Sequence, residues 1–249
     1  MDPWDLLHAH RYQEALARTN PARGSDFHKH SAFLVRGIAL LCLGRFSEAV
    51  VAFEAASQLR RQDKFKVPPF LNELGTALWL TGNKVVAKEI WRASVDGVRH
   101  GTIHYGDAGG GVEQGLLLWY GGVSTSDRNT TLHALDYLER LSKKKRWAGL
   151  WPRPLAHFAL GKKSFDDVLR EDLKCADLKE AIQRTKEDFL LKRQLAQALL
   201  CFGTSLRAEG DRKGCRNPFR ECAKLENPII ETAWYLAAAE VGQLPRQQN

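Results

Sequence analysis

The chain has 249 residues, of which 44% are hydrophobic, 27% charged and 9% aromatic; this composition excludes disorder and collagen, and its length is enough for a core without a disulfide or metal staple. Lys and Arg outnumber Asp and Glu for a net charge of +8, which favours an acidic protein surface or a polyanion as partner and says nothing of fold. Five scattered cysteines (Cys42, Cys175, Cys201, Cys215 and Cys222) include no Cys-x-x-Cys pair, the usage of a reducing compartment.

The opening Met1-Asp2-Pro3-Trp4-Asp5 places acids where an export signal needs Lys or Arg, and no run of 18 apolar residues occurs. The expectation is a cytoplasmic chain with no membrane association. Tyr12 and Ala15 mirror Phe46 and Ala49 further on, which predicts a truncated leading repeat over 1–20.

Next comes a pattern that recurs. Phe33, Gly37, Leu40, Gly44, Ala49, Phe53 and Ala56 are separated as are Leu71, Gly75, Leu78, Gly82, Ala87, Trp91 and Ser94, and again as are Leu199, Gly203, Leu206, Gly210, Cys215, Phe219 and Cys222. Steps of three and four place apolar side chains on one helical stripe, and the step of five spans a turn, so each set predicts a helical hairpin. Gly37, Gly75 and Gly203 lie inside first helices, where glycine is costly, and so predict close approach of the paired helix. Gly44, Gly82 and Gly210 end those helices in the left-handed conformation. Cys215 and Cys222 fall on the small-residue positions and are expected to be buried packing residues.

The strong units bound repeats over 30–66, 68–101 and 196–228. Between them, Gly115, Leu118 and Gly122 with Ala134, Leu138 and Leu141 predict a degenerate repeat over 111–143, its Ser124–Thr130 turn lengthened by about seven residues. Pro152 to Leu160, a Gly161 turn and Ser164 to Leu173 predict another over 152–175. Pro228 closes the last unit, and a capping helix is expected over 228–242.

These spacings resemble the tetratricopeptide repeat family, whose motif runs large, small, large, Gly or Asn turn, Ala, aromatic, Ala. The resemblance implies an all-α fold: one domain over 1–249 built as a right-handed superhelical solenoid of hairpins with a C-terminal capping helix. Trp151-Pro152 to Leu160-Gly161, followed by Phe202-Gly203 and Ile230-Glu231, is similar to the C-terminal part of lipoprotein-type bacterial repeat proteins, although this chain has no lipidated N-terminal Cys.

Chemistry-bearing residues are sparse. The pair His8/His10 sits two apart on a predicted helical segment, where the rings point to different faces, and His28/His30 falls at a helix entrance; with His100/His104 the expectation is no metal site. His104-Tyr105-Gly106-Asp107-Ala108-Gly109-Gly110-Gly111 could offer backbone N–H groups to an anion, but no strand precedes it and no Lys-Ser/Thr pair follows. No nucleophile elbow or zinc-protease motif occurs. The expectation is a chain with no catalytic residues and no cofactor, with a hydrolase using His104 and Asp107 as the third choice.

Basic clusters lie at Arg60–Lys66, at Lys143, Lys144, Lys145 and Arg146, and at Arg212, Lys213, Arg216 and Arg220. The cluster 143–146, beside Trp147, supports the alternative reading as an RNA- or DNA-associated factor. The family resemblance instead implies a concave groove lined by first helices, with Asn72, Thr76, Trp79, Trp119, Gln197, Thr204 and Arg207 as the binding set. The carboxylate clamp of some family members is absent, because Leu34, Ile38 and Leu41 occupy that surface of the first unit. The functional expectation is a non-enzymatic scaffold that binds another protein with an acidic surface, as a bacterial cytoplasmic immunity or adaptor protein.

Overall fold

A computed structural model of the chain describes residues 2–19, 26–61, 71–103, 111–144, 150–226 and 229–245. All regular structure among them is helical: α1 (Pro3–His8), α2 (Tyr12–Arg18), α3 (Asp26–Cys42), α4 (Phe46–Arg61), α5 (Leu71–Leu80), α6 (Lys84–Arg99), α7 (Val112–Ser124), α8 (Arg128–Ser142), α9 (Arg153–Ala159), α10 (Phe165–Asp167) running into a π-turn (Val168–Asp172), α11 (Leu178–Arg184), α12 (Phe189–Ala208), α13 (Arg216–Lys224) and α14 (Thr232–Glu240).

One backbone device closes these hairpins. At Gly44 the amide bonds the Leu41 carbonyl at 3.0 Å and the next amide, Arg45, reaches back to Leu40 at 2.9 Å. This is a Schellman turn, whose left-handed residue suits glycine because a Cβ would meet the neighbouring carbonyl. The same pair of bonds recurs around Gly82, Gly161 and Gly210, all at positive φ. It also recurs around two residues that are not glycine, His10 (φ 57°) and Ser126 (φ 54°). His10 therefore occupies the place of Gly44. The following residues repeat as well: Arg11 forks onto Glu14 with two bonds of 2.6 Å, as Arg45 does onto Glu48 at 2.7 and 2.6 Å. The leading repeat is thus an α1–α2 hairpin carrying the same turn.

Helix starts are equally local. Asp127, Asp177 and Asp188 each accept the backbone N–H three residues on, capping α8, α11 and α12. Asp2 with Asp5, and Ser164 with Asp167, form reciprocal capping boxes ahead of α1 and α10.

The chain divides into two compact units, residues 1–90 with 244–249 and residues 91–243, with the boundary inside α6; the sequence had predicted one array. In the first unit α2 and α4 flank α3, and α5 follows against α4. Its core holds Leu6, Leu7, Ile38, Leu40, Ala49 and Phe53. Leu34, Ile38 and Leu41 are buried there. In the second unit α8 packs on α7, and α13 and α14 pack on α12 and on each other. Its core includes Leu118, Leu138, Leu155, Leu199, Phe219 and Leu236. The end of α6 and the length of α8 are laced by polar contacts at helical spacing: Arg92 to Thr130 at 2.8 Å, His133 with Asp96 at 2.9 Å and Arg99 to Asp136 at 2.7 Å.

Two details differ from the sequence reading. The segment joining α7 and α8 is not lengthened, since α8 starts at Arg128 after a three-residue turn like that of α3–α4. The seven extra residues lie in the helices instead. Relative to its glycine α7 runs four residues further than α3, and α8 adds three ahead of Leu138. Each addition is about one helical turn, so Gly115 still faces Tyr137 and Leu138. The second detail is α11, a short polar helix with no apolar stripe to reveal it, and α12 begins at Phe189, seven residues before the expected repeat.

Candidate functional site

α7 is apolar around its circumference, and every residue from Gln114 to Gly122 is buried, the condition of a helix enclosed on all sides. Within the second unit α12 packs against it, and α9 contacts both. The first helices of the α7–α8 and α12–α13 hairpins therefore meet directly, and the face expected to line a groove is occupied. Trp119 and Thr204 are enclosed there, the Thr204 hydroxyl donating to the Leu200 carbonyl at 2.8 Å. In the first unit Asn72, Thr76 and Trp79 are buried too, with the Lys84 ammonium 5.0 Å from the Trp79 ring centre. Five of the seven expected groove residues are thus buried; for Trp119 and Thr204 the helices that carry them, α7 and α12, pack on one another where a curved array would leave a groove.

The other two, Gln197 and Arg207, reach polar partners. Arg207 on α12 forks onto Glu240 at the end of α14, with Nη1 to Oε1 at 2.8 Å and Nη2 to Oε2 at 2.6 Å. Its Nη1 also donates to Ser124 Oγ at 2.9 Å, and Tyr120 Oη of α7 donates to Glu240 Oε1 at 2.8 Å. One carboxylate ties α7, α12 and α14 together. With side-chain exposures of 23% and 18% the pair is largely shielded, so its Coulomb energy is little screened and its geometry is held by four bonds. The Glu240 carboxylate pushes the guanidinium pKa up, and burial together with that same negative charge pushes the Tyr120 phenol well up. Both groups keep their protons.

Gln197 belongs to a second network about two to four turns earlier on α12. Trp151 Nε1 donates to its Oε1 at 2.6 Å, and its Nε2 donates to Glu231 Oε2 at 3.1 Å. Glu231 caps α14 by accepting the Ala233 amide at 3.3 Å and receives Arg193 Nε at 3.4 Å. Its side chain is 1% exposed. Burial, and then the charge of nearby Glu113, push its pKa up to about 8, against the opposing pull of Arg193. Glu113 accepts the Thr232 hydroxyl at 3.1 Å. Between Glu113, Gln197, Cys201, Glu231 and Thr232 lies a cavity of about 20 Å³, room for one water. The thiols of Cys201 and Cys222 are pushed up by burial and by the Glu231 charge, which makes them inert packing groups. All five cysteines are buried.

The remaining candidates are dispersed. Lys143 pairs with Glu139 at 3.1 Å, Lys162 binds the same carboxylate, and Lys144 is exposed. Lys145 and Arg146 lie outside the described residues, as do Lys64–Lys66, Pro228 and the stretch 104–110 with His104 and Asp107; the side chains of His28, Arg60 and Arg61 are likewise not described. His10 Nδ1 lies 2.6 Å from the Tyr12 hydroxyl, and His30 is buried. Among the described residues no three His, Cys, Asp or Glu side chains are grouped to hold a metal ion, and no helix is long and apolar enough to cross a membrane.

Sequence reasoning missed Tyr120, Glu113, Glu231 and Glu240. A signal for the acids existed, since each is a lone carboxylate beside an apolar run, and a carboxylate carried into packing needs a donor or a proton. Comparison with family models, with curated proteins and with solved structures yields no match.

Proposed function

We propose that the chain is a non-catalytic, tetratricopeptide-like scaffold of helical hairpins that binds another protein bearing an acidic surface. The observation that carries this reading is the repeated hairpin itself: one turn and one glycine contact, reused along the chain, make an architecture that extends surface area. The enclosed polar networks fit a stabilising role, since the cavity within the Glu231 network holds one water's volume and ligand pockets are far larger, about 300 Å³ or more. The net charge of +8 steers association with an acidic partner. Within this reading the narrower role is that of a cytoplasmic immunity or adaptor protein, which neutralises or recruits a single partner. Outer-face side chains then carry recognition, since five of the seven residues first assigned to a groove are buried and the other two, Gln197 and Arg207, are held in polar networks.

The test is crosslinking and affinity capture of the tagged full chain from its native cell, with and without nuclease. A protein recovered in stoichiometric amount after nuclease treatment supports the scaffold. Nucleic acid recovered instead, with an affinity that falls steeply with salt through counterion release, replaces it with the polyanion reading.

A further inference from the structure

We propose that the outward face of α13, with the turn before it, is a docking edge for an acidic protein segment whose carboxylates recur every fourth residue; this rests on the protein-binding reading above. α13 is sharply two-sided. Pro218, Phe219 and Cys222 are buried, while Arg216, Arg220 and Lys224 are exposed, as are Arg212 and Lys213 in the preceding turn. Arg216, Arg220 and Lys224 form a four-residue series on α13, a spacing that sets successive side chains about 6 Å apart along one helix face, and Arg212 stands four residues earlier in the turn.

Two acids of the same stretch are engaged elsewhere, and the third meets only the last cation of the row. Asp211 accepts the Gly214 amide at 2.7 Å, Glu209 accepts the Ser205 hydroxyl at 3.0 Å and Glu221 pairs with Lys224 at 2.7 Å. Among the described residues no ion pair joins Arg212, Lys213, Arg216 or Arg220 to an acid. Like charges four apart on a helix repel; Glu221 relieves Lys224 at the end of the row, and Arg212, Arg216 and Arg220 are left to charge from outside. Three of its four members are arginine, whose planar fork takes a carboxylate with two bonds.

The surroundings favour a protein over a nucleic acid. Strand-binding surfaces interleave cations with exposed aromatic rings, but the aromatic residue of α13, Phe219, is fully buried with the Arg207 guanidinium 5.1 Å from its ring centre. Exposed Glu209 and Asp211 stand at the head of the row, where they repel a continuous polyanion and are avoided by a segment with spaced acids.

The experiment titrates the full chain into a labelled 21-residue helical peptide with Glu at every fourth position. Companion titrations use a peptide of identical composition with its Glu spread around the helix, a single-stranded RNA and a duplex DNA. The expected result is binding of the registered peptide about tenfold tighter than its companion, and a loss of about tenfold in Arg212→Glu/Arg216→Glu/Arg220→Glu, with Lys143→Glu/Lys144→Glu changing it less than about twofold. Arg→Gln at the same three positions keeps the test readable if the reversal unfolds the chain. Equal binding of both peptides, a silent reversal, or tighter binding of either nucleic acid overturns the proposal. If the partner captured from cells stays bound to the reversal variant, this edge is wrong and the scaffold reading stands. If only nucleic acid is captured and the reversal releases it, both fall.

Discussion

Gly203 lies so close to Phe219 that a Cβ on the glycine would sit 2.4 Å from the ring's Cε1, and Gly37 stands in the same relation to Phe53, sixteen residues on, at 2.5 Å. The ring of one helix thus replaces the side chain of the other, which is why the glycine and the aromatic recur at fixed spacing. A ring fixed in the core cannot retreat as the end of a flexible chain would. Gly203→Ala is therefore expected to destabilise the protein by about 1–3 kcal/mol, read by urea unfolding. Phe219→Leu in the same background should return part of the loss; strictly additive effects would show that the two residues do not share this contact.

Gly82 separates conformation from packing. Its φ is +88° and nothing lies within 4 Å of a Cβ built there, so Gly82→Ala is penalised by the backbone alone, by about 1 kcal/mol. His10 tests the converse, since it holds the same turn at φ 57°. His10→Gly is expected to relax that turn while losing the contact with Tyr12, for a net change under about 1 kcal/mol. A large loss in thermal unfolding would show that the His10–Tyr12 contact dominates.

Arg207 and Glu240 act as a unit. Removing the acid in Glu240→Gln leaves a largely shielded guanidinium without its counter-charge and is expected to cost about 1–3 kcal/mol, less than a fully buried pair because the edge of the site is wet. Arg207→Met with Glu240→Gln should cost less than the two single changes added. Tyr120→Phe removes one donor to the same carboxylate and should cost about 1 kcal/mol. A double-mutant cycle by chemical denaturation measures the coupling; a value near zero would contradict the shared role of this carboxylate. It follows that lost partner binding in Arg207→Ala reads as a loosened fold rather than a lost contact.

Glu231 links stability to pH. Its pKa is raised in the folded chain to about 8, so between the ordinary glutamate value and that point the folded state holds a proton that the unfolded state has released. Stability therefore falls as pH rises through this window. Around it, burial and the Glu113 carboxylate oppose its charged form and Arg193 favours it, while the buried thiols of Cys201 and Cys222 stay protonated across the window. Glu231→Gln is expected to flatten the decline in thermal midpoint between pH 5 and about 8. An unchanged slope would place the pH dependence elsewhere.

Most helices and the glycine turns were legible in the residue order because each depends on neighbours within about five positions; α11 and the true starts of α8 and α12 were not. Gly44 ends α3 and Asp127 starts α8 through bonds to atoms of the same segment. Even the Gly203–Phe219 contact could be inferred, because a tight turn returns the chain at a set distance. What only the tertiary structure decided is how hairpins meet. Tyr120 and Glu240 are 120 residues apart, and Arg207 reaches that carboxylate from a third helix; no local period encodes such a pairing. The apolar circumference of α7 announced a buried helix without naming α12 as the neighbour that closes over it. Side-chain periodicity determines which face of each helix leaves water, whereas the choice of partner rests on summed packing and on a few shielded charges that acquire their energy only once the helices are together.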